Sequence, residues 1–495
     1  MFRFHNSPQL SLLLFSLTVF VTSSTRPLFA QDQSDAANDR PNIVYIMADD
    51  HTSQAWGCYG SRLAEYCPTS RIDQLADEGA LLSNCFCTNS ICAPSRGSVL
   101  TGQYSHINGI RTLSGSLDPE TDNVAKRLHA AGYQTALVGK WHLKEPPAGF
   151  DYWNIIKGQG SYHDPTMFEM DLEQPSKREG EYSTDVFTDE ALAWLDRRET
   201  EQPFYLMLHF KATHEAWNFH PRHAELFEDV KFPEPETLFG STGPYDTRVE
   251  EGWPLEILTE RMVKGGHGAE KLVLDTEDPE EIRRATYQKF LRDYMRCVAA
   301  IDENIGRVLD YLDETDQAED TVVIYTSDQG YFLGEHNYFD KRFMLEESLR
   351  MPFVVRYPRE IAPGTVLDEI ILNIDFAETF LDYADAETPD SMQGRSFRAN
   401  LTGETPNDWR DAMYYRYYGG QSVRPAHYGI RTHDAKLIYY DGLTRVPEDR
   451  RWEFYDLASD PHETRNEYDD PRHADAIAEL KQRLPELQAE LGDAP

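Results

Sequence analysis

The stretch Asn89-Ser90-Ile91-Cys92-Ala93-Pro94-Ser95-Arg96 places a cysteine two residues before a proline and four before an arginine. Pro94 suits the first turn of a helix, where its fixed φ fits and its missing N–H would be unpaired anyway, so Cys92 is expected at a helix N-terminus. Unpaired backbone N–H groups and the helix dipole favour an anion there, and a thiolate gains in the same way. A free cysteine is more often a small buried hydrophobe, so Cys92 means more only with chemistry around it. Two further sets of residues supply that chemistry. Asp49, Asp50 and Asp328, with the amide oxygen of Gln329, make an all-oxygen shell that suits Ca2+ or Mg2+ rather than zinc; three gathered carboxylates would repel without a cation. Arg96, Lys140, His142, His214 and Lys341 bring positive charge that would offset a bound anion and stabilise charge developing in a reaction.

Four short apolar runs deliver most of these residues. Pro41–Met47 leads to Asp49-Asp50, Thr135–Val138 to Gly139-Lys140-Trp141-His142, Phe204–Leu208 to His209-Phe210-Lys211-Ala212-Thr213-His214, and Thr321–Tyr325 to Ser327-Asp328-Gln329-Gly330. Such runs read as buried parallel strands, and an open α/β sheet binds ligands beyond the carboxyl ends of its strands, so the four clusters are expected to converge. Helices are expected over Ile72–Gly79 and Asp122–Gly132, each ended by a glycine, and over Pro279–Leu312, where Tyr294, Ala299, Ile301, Ile305 and Leu309 have core spacing. His220–Glu281 is long for a connection and rich in proline, glycine and charge, which marks a lid or insertion over residues 220–281. After about Asp385 the pattern changes to aromatic, alternating strands: Met413–Tyr418, Tyr428–Ile430, Lys436–Tyr440 and Trp452–Tyr455. A helix over Asp475–Leu491 follows, with a kink or break expected at Pro485. The expected fold is α/β: a large mixed, mainly parallel sheet flanked by helices over residues 41–385, and a smaller C-terminal α+β subdomain with an antiparallel sheet over 386–495.

Cys92-Ala93-Pro94-Ser95-Arg96, closed by Thr101-Gly102, resembles the signature of type I sulfatases in the alkaline-phosphatase-like superfamily, in which the cysteine is oxidised to formylglycine. The resemblance runs from about Asn42 to about Asn466. It implies a divalent cation, generally Ca2+, held by Asp49, Asp50, Asp328, Gln329 and the modified residue 92; Gln329 departs from the Asn or His common at that position. It also implies the roles of the basic residues. One hydroxyl of hydrated formylglycine attacks sulfur, an acid such as Asp328 accepts its proton, and His214, helped by Lys341, protonates the departing alcohol. His142 takes a proton from the second hydroxyl as sulfate leaves, while Lys140 and Arg96 hold the nucleophile and the sulfate oxygens. The segment Gly334–Arg342, which contains Lys341, resembles the family's. Tyr325–His336 and His427–Thr432 are similar to bacterial polysaccharide sulfatases and N-acetylglucosamine-6-sulfatases, and His427 and Arg431 are either sugar contacts or structural parts of the C-terminal sheet. The implied partners are a sulfated carbohydrate and a formylglycine-generating or sulfatase-maturating enzyme. Two alternatives stay open: a formylglycine-dependent phosphodiesterase or phosphonate hydrolase, and a non-catalytic, cation-stabilised carbohydrate-binding protein with Cys92 unmodified.

Composition narrows the class. With 495 residues, 40% of them hydrophobic and 12% aromatic, the chain is long enough for two domains or one large domain with an appendage, and too apolar for disorder. A formal net charge of −37 argues against nucleic-acid or anionic-membrane partners, so a site for an anion must be locally positive. Met1–Ala30 reads as a secretory signal: Arg3 and His5, an apolar run from Leu10 to Val21 too short to span a bilayer, then Leu28-Phe29-Ala30. A polar segment over residues 31–40, expected to be disordered, follows it. Export to the periplasm or the extracellular space is therefore expected, without stable membrane insertion. The six cysteines show neither a disulfide framework nor a Cys-x-x-Cys metal knuckle.

Overall fold

In the computed structural model, which describes residues 40–239, 253–419, 424–442, 447–448 and 451–493, every residue of strand β1 (Asn42–Asp49) after the first is buried. That is what a parallel strand covered by helices on both faces requires. The expected signal Met1–Ala30, the polar segment as far as Asp39, and residues 240–252 of the expected insertion lie outside the described residues.

The first half of the chain continues with α1 (Ser70–Glu78), β2 (Ala80–Leu82), α2 (Cys92–Thr101), α3 (Val124–Ala130), β3 (Gln134–Lys140), β4 (Tyr152–Ile156), β5 (Thr166–Glu169), β6 (Ser176–Lys177), α4 (Ser183–Arg197) and β7 (Phe204–Thr213). Then come α5 (Leu255–Lys264), α6 (Pro279–Glu314), β8 (Thr321–Ser327), the short strands β9 (Phe332–Leu333) and β10 (Phe339–Asp340), β11 (Phe353–Arg356), β12 (Thr365–Leu367) and α7 (Asp375–Tyr383). These build a ten-stranded sheet in the order β12-β2-β11-β8-β1-β7-β3-β4-β5-β6. Its centre, β8 to β4, is parallel throughout, and β11 and β5 join it antiparallel on either side. This is the mixed, mainly parallel sheet expected.

Alternate residues of β1 feed two cores. Val44 and Ile46 pack with residues of α1, α4 and α6, whereas Ile43, Tyr45 and Met47 pack with those of α2, α3 and α7. The helices keep near their expected bounds, and their caps explain the trims. Asn123 accepts a hydrogen bond from the Lys126 N–H, so α3 begins at Val124, two residues later than expected. Asp278 caps Glu280 and Glu281 ahead of Pro279, which starts α6 where expected.

The C-terminal sheet is antiparallel in the order β13 (Ala412–Tyr417), β14 (His427–Thr432), β15 (Ala435–Tyr439), β16 (Trp452–Asp456), as its alternating aromatic pattern predicted. Tyr414, Ile430, Leu437 and Phe454 lie in one cross-strand row and share a core with Leu480 and Leu484 of α8 (Ala474–Glu490). The expected break at Pro485 does not occur: α8 runs through it. Pro485 is exposed, so water can take the carbonyl its missing N–H leaves unpaired.

Candidate active site

Four strands of the central sheet end in one place, and each end is shaped locally. Asp49 closes β1, and Asp50 then adopts a positive φ of 70°. Such a backbone persists only when neighbours hold it: the Asp50 N–H donates to Asp328 Oδ1 at 3.2 Å, and its carbonyl accepts from Tyr294 Oη at 2.6 Å and Thr213 Oγ1 at 3.0 Å. At the tip of β3, Gly139 has φ 102°, and a Cβ there would lie 2.0 Å from the His209 carbonyl oxygen, so only glycine lets β3 approach β7 and present Lys140. Cys92 opens α2 with Ile91 as N-cap and Pro94 in the first turn, as the sequence predicted, and all ten residues of α2 are buried.

The predicted residues meet. Ligand atoms of Asp49, Asp50 and Asp328 lie within 4.8 Å of one another, as do those of Asp49, Cys92 and His214. The Cys92 thiol donates to Asp49 Oδ1 at 3.2 Å. Arg96 holds Asp328 Oδ2 through Nε at 3.1 Å and Nη2 at 3.0 Å, donates to the Lys140 carbonyl at 3.0 Å, and lies 3.7 Å from Asp49. Lys140 Nζ pairs with Asp49, and Lys341 Nζ reaches both oxygens of Asp50 at 2.5 Å. His214 Nε2 stands 3.8 Å from Asp50 Oδ2, while its Nδ1 meets the Glu215 carbonyl at 2.8 Å. Gln329 Nε2 donates to Asp50, and among the described residues its buried Oε1 has no partner. The buried Nδ1 of His142 also has none.

Electrostatics follow from burial. Burial pushes Asp50 up to about 8, against Lys341, and pushes Asp328 up to about 6, with Asp49 adding to the shift. Burial also pushes Asp49 up, but Lys140, His214, Arg96 and Lys341 together hold it well below the usual carboxylate range. Burial and then Lys140 lower His142 to about 3, and His214 is likewise held far down by burial, against Asp49. Burial, then Asp49, raises the Cys92 thiol, which disfavours the thiolate at residue 92.

Two residues reach the site without having been singled out. Gln159 accepts from Lys140 Nζ at 2.7 Å, and Lys211, lowered to about 8 by burial and then Lys140, lies 4.8 Å from the Tyr162 ring centroid. Gln159 sits in a short loop between Gly158 and Gly160, where no periodicity could mark it. Of the two candidates in β14, Arg431 donates to Glu346 at 2.9 and 3.1 Å inside an ion-pair cluster, a structural setting. The His427 ring stacks on Tyr415 and packs 5.9 Å from Phe343. All six cysteines lie among the described residues, and none is paired in a disulfide.

Comparison with known proteins agrees with this geometry. Residues 41–386 match the Sulfatase family model, and residues 334–490 match the model described as N-sulphoglucosamine sulphohydrolase, C-terminal. The chain is 39% identical to an N-acetylglucosamine-6-O-sulfatase of Bacteroides thetaiotaomicron, over 94% of this chain and 90% of the relative. A solved structure of a protein in complex with its substrate, D-glucosamine-2-N,6-O-disulfate, superimposes with a TM-score of 0.83 at 39% identity, over 92% of this chain and 98% of that one. A phosphonate monoester hydrolase from Silicibacter pomeroyi shares the fold, with a TM-score of 0.71 at 22% identity, over 91% of this chain and 96% of that one.

Proposed function

The chain belongs to the sulfatase family, and on that premise we propose that this sulfuric ester hydrolase removes 6-O-sulfate from glucosamine units of an exported glycan-degrading system. Cys92 would be matured to formylglycine by a formylglycine-generating or sulfatase-maturating enzyme. Asp49, Asp50, Asp328 and Gln329 would hold a divalent cation, Ca2+ in preference to Mg2+. Residues 41–385 form the catalytic domain in this reading, and 386–495 the subdomain that closes it.

The donor set fits such an ion. The unpartnered Gln329 Oε1 adjoins three buried carboxylates, two of which burial drives toward protonation. Arg96, Lys140 and Lys341 each pair with one of these carboxylates, and a divalent cation held among them would add positive charge for an anionic ester. Bound here, the hydrated aldehyde and the cation would supply an oxygen nucleophile and a Lewis acid.

The chain's own residues do the rest. Lys140 and Arg96 hold the nucleophile and the sulfate oxygens. His142, kept neutral, is free to accept a proton at Nδ1. His214 donates Nδ1–H to the Glu215 carbonyl, which leaves Nε2 to carry the proton for the leaving oxygen. Burial disfavours that proton, and the negative charge of a bound ester restores it. Lys341 assists from Asp50.

The observation that carries the reading is the meeting of Asp49, Cys92 and His214 within 4.8 Å, beside the three-aspartate cluster. Export rests on the Met1–Ala30 pattern; among the described residues no helix is long and apolar enough to cross a membrane. The test has two parts. Sulfate release from N-acetylglucosamine 6-sulfate is expected to exceed turnover of a matched phosphate diester, and the reverse order would move the enzyme to phosphoester chemistry. Mass spectrometry of the Cys92 peptide is expected to find it about 18 Da lighter than cysteine, from sulfur-for-oxygen exchange and loss of two hydrogens, and an unmodified peptide in active enzyme would end the formylglycine assignment.

A further inference from the structure

Residues 253–268, in the insertion between β7 and α6, grip both sides of the His214–Lys341 pair. On one side, Arg261 Nη1 and His267 Nε2 approach Glu215 Oε2 at 3.3 and 3.2 Å, and the Gly268 N–H donates to the Ala216 carbonyl at 2.6 Å. Glu215 directly follows His214, and its carbonyl receives the His214 Nδ1–H. On the other side, the same Arg261 guanidinium lies 4.1 Å from the ring centroid of Trp253 and 5.8 Å from that of Phe339. Trp253 packs 5.5 Å from Phe339, and its carbonyl accepts the Phe339 N–H at 3.1 Å. A second guanidinium, Arg424, lies 4.3 Å from the Trp253 centroid and pairs with Asp340 at 2.8 Å. Phe339 and Asp340 immediately precede Lys341.

We infer that Arg261 is a positioning residue for desulfation: it sets His214 and Lys341 against each other by binding the carboxylate beside one and stacking on the rings that seat the other. The inference rests on the reading of His214 and Lys341 as the leaving-group acid and its helper. Arginine is suited to this task because its planar guanidinium offers an edge to a carboxylate and a face to an aromatic ring at once, whereas lysine presents only a point charge. The ion pair alone gives Arg261 little weight in stability. Arg261 and Glu215 keep 29% and 23% of their side-chain surface exposed, and an ion pair that open contributes little to folding. The two groups sit on separate elements and both face Asp50, Lys341 at 2.5 Å and His214 at 3.8 Å, so the Arg261 contacts brace from outside a spacing that Asp50 meets from inside. Small errors in such spacing are costly to rate.

The test is a double-mutant cycle on the cation-loaded, matured enzyme with N-acetylglucosamine 6-sulfate. Arg261→Ala is expected to lower kcat about 10- to 100-fold, with KM within about threefold of wild type and an unchanged melting temperature. Arg261→Lys is expected to recover only part of the loss, since it keeps the charge and not the stack. In a His214→Ala background, Arg261→Ala is expected to cost less than about threefold more, because the acid that Lys341 is set against is gone. Losses that multiply in the double variant would overturn the inference, as would a fall in KM-linked binding alone. If Arg261→Ala folds poorly, Glu215→Gln carries the same expectation from the other end of the contact. Wild-type kcat in His214→Ala would instead overturn the acid assignment beneath it.

Discussion

Asp49, Lys140, His214 and Asp328 leave the central sheet at the last residue of a strand or one residue past it, and each of those strands is paired to its neighbours, with a register shift near the tips of β1 and β7. Lys341 reaches the same pocket from a two-rung hairpin, β9 with β10, whose surroundings are tied by charge: Glu335 to Arg62, Asp340 to Arg342 and Arg424, Glu346 to Arg350, Arg431 and Lys436. One half of the pocket is positioned by a backbone ladder that no single side chain can undo. The other half depends on ionised groups, some of them contributed by the C-terminal sheet, and should respond to pH and to substitutions far from sulfur.

The severest challenge to the sheet-tip half is the loss of the residue it surrounds. Cys92→Ala and Cys92→Ser should leave the fold intact and remove multiple turnover altogether, as read by sulfate release over many enzyme equivalents; sustained turnover in either would mean that the nucleophile lies elsewhere. Next comes the cation. Chelation should silence the wild type, and Ca2+ at 100 times its Kd should restore activity and add about 2.7 kcal/mol to stability. Asp328→Asn should show neither response in thermal melts with and without Ca2+. A cation response in Asp328→Asn equal to that of wild type would remove the β8 tip from the ligand set.

The contrast also sets what could be read from the chain alone. Pro41–Met47, Thr135–Val138, Phe204–Leu208 and Thr321–Tyr325 each fall within an observed strand or overlap it closely, because a strand buried on both faces must be apolar throughout and its first polar residues must mark its end. That logic placed Asp49, Lys140, His214 and Asp328 together without coordinates. Nothing comparable marks Trp253, Arg261 or Arg424. Their placement comes from ion pairs and stacked rings between segments up to 171 residues apart in sequence, from Trp253 to Arg424, and such contacts leave no period in either segment. Lys341 was legible only because its segment resembles a known one.

The charge-held half should yield to acid. Burial pushes the Glu346 carboxyl up, but Arg431, Lys436 and Arg350 outweigh it and hold the group well below its ordinary 4.5. A depressed folded-state value means the unfolded chain binds the proton more readily, so this contribution is present above about pH 4.5 and is lost as pH falls toward the folded value. Glu346→Gln should therefore cost about 3 kcal/mol near neutral pH, the lower end for removing one partner of a buried pair, because Glu463 remains for Lys436 at 2.6 Å. Denaturant melts should find that difference shrinking below about pH 4.5. A difference constant from pH 7 to pH 3 would mean that packing, and not charge, holds this region.

Behind the sheet-tip half lies a carboxyl in the opposite situation. Glu378 of α7 accepts from the Gly394 N–H at 2.7 Å, but its second oxygen has no partner among the described residues, and burial, with Asp375 adding, pushes the carboxyl up to about 8. Here the folded state holds the proton more tightly than the unfolded chain does. The stabilisation is complete below about pH 4.5 and is lost as pH rises through about 8, the reverse of the slope at Glu346. From 4.5 to pH 7 the linkage amounts to roughly 3 kcal/mol at about 1.4 kcal/mol per unit, and the burial of a glutamine amide would offset part of it. Glu378→Gln should thus stabilise the protein by about 2 kcal/mol at pH 7 and by almost nothing at pH 4.5, where the native carboxyl is already neutral. Activity should hold, since Glu378 touches the C-cap of α2 at Gly102 and none of the pocket's ligating atoms. A gain that stayed the same at both pH values would show that shape, and not a buried proton, sets the stability behind α2.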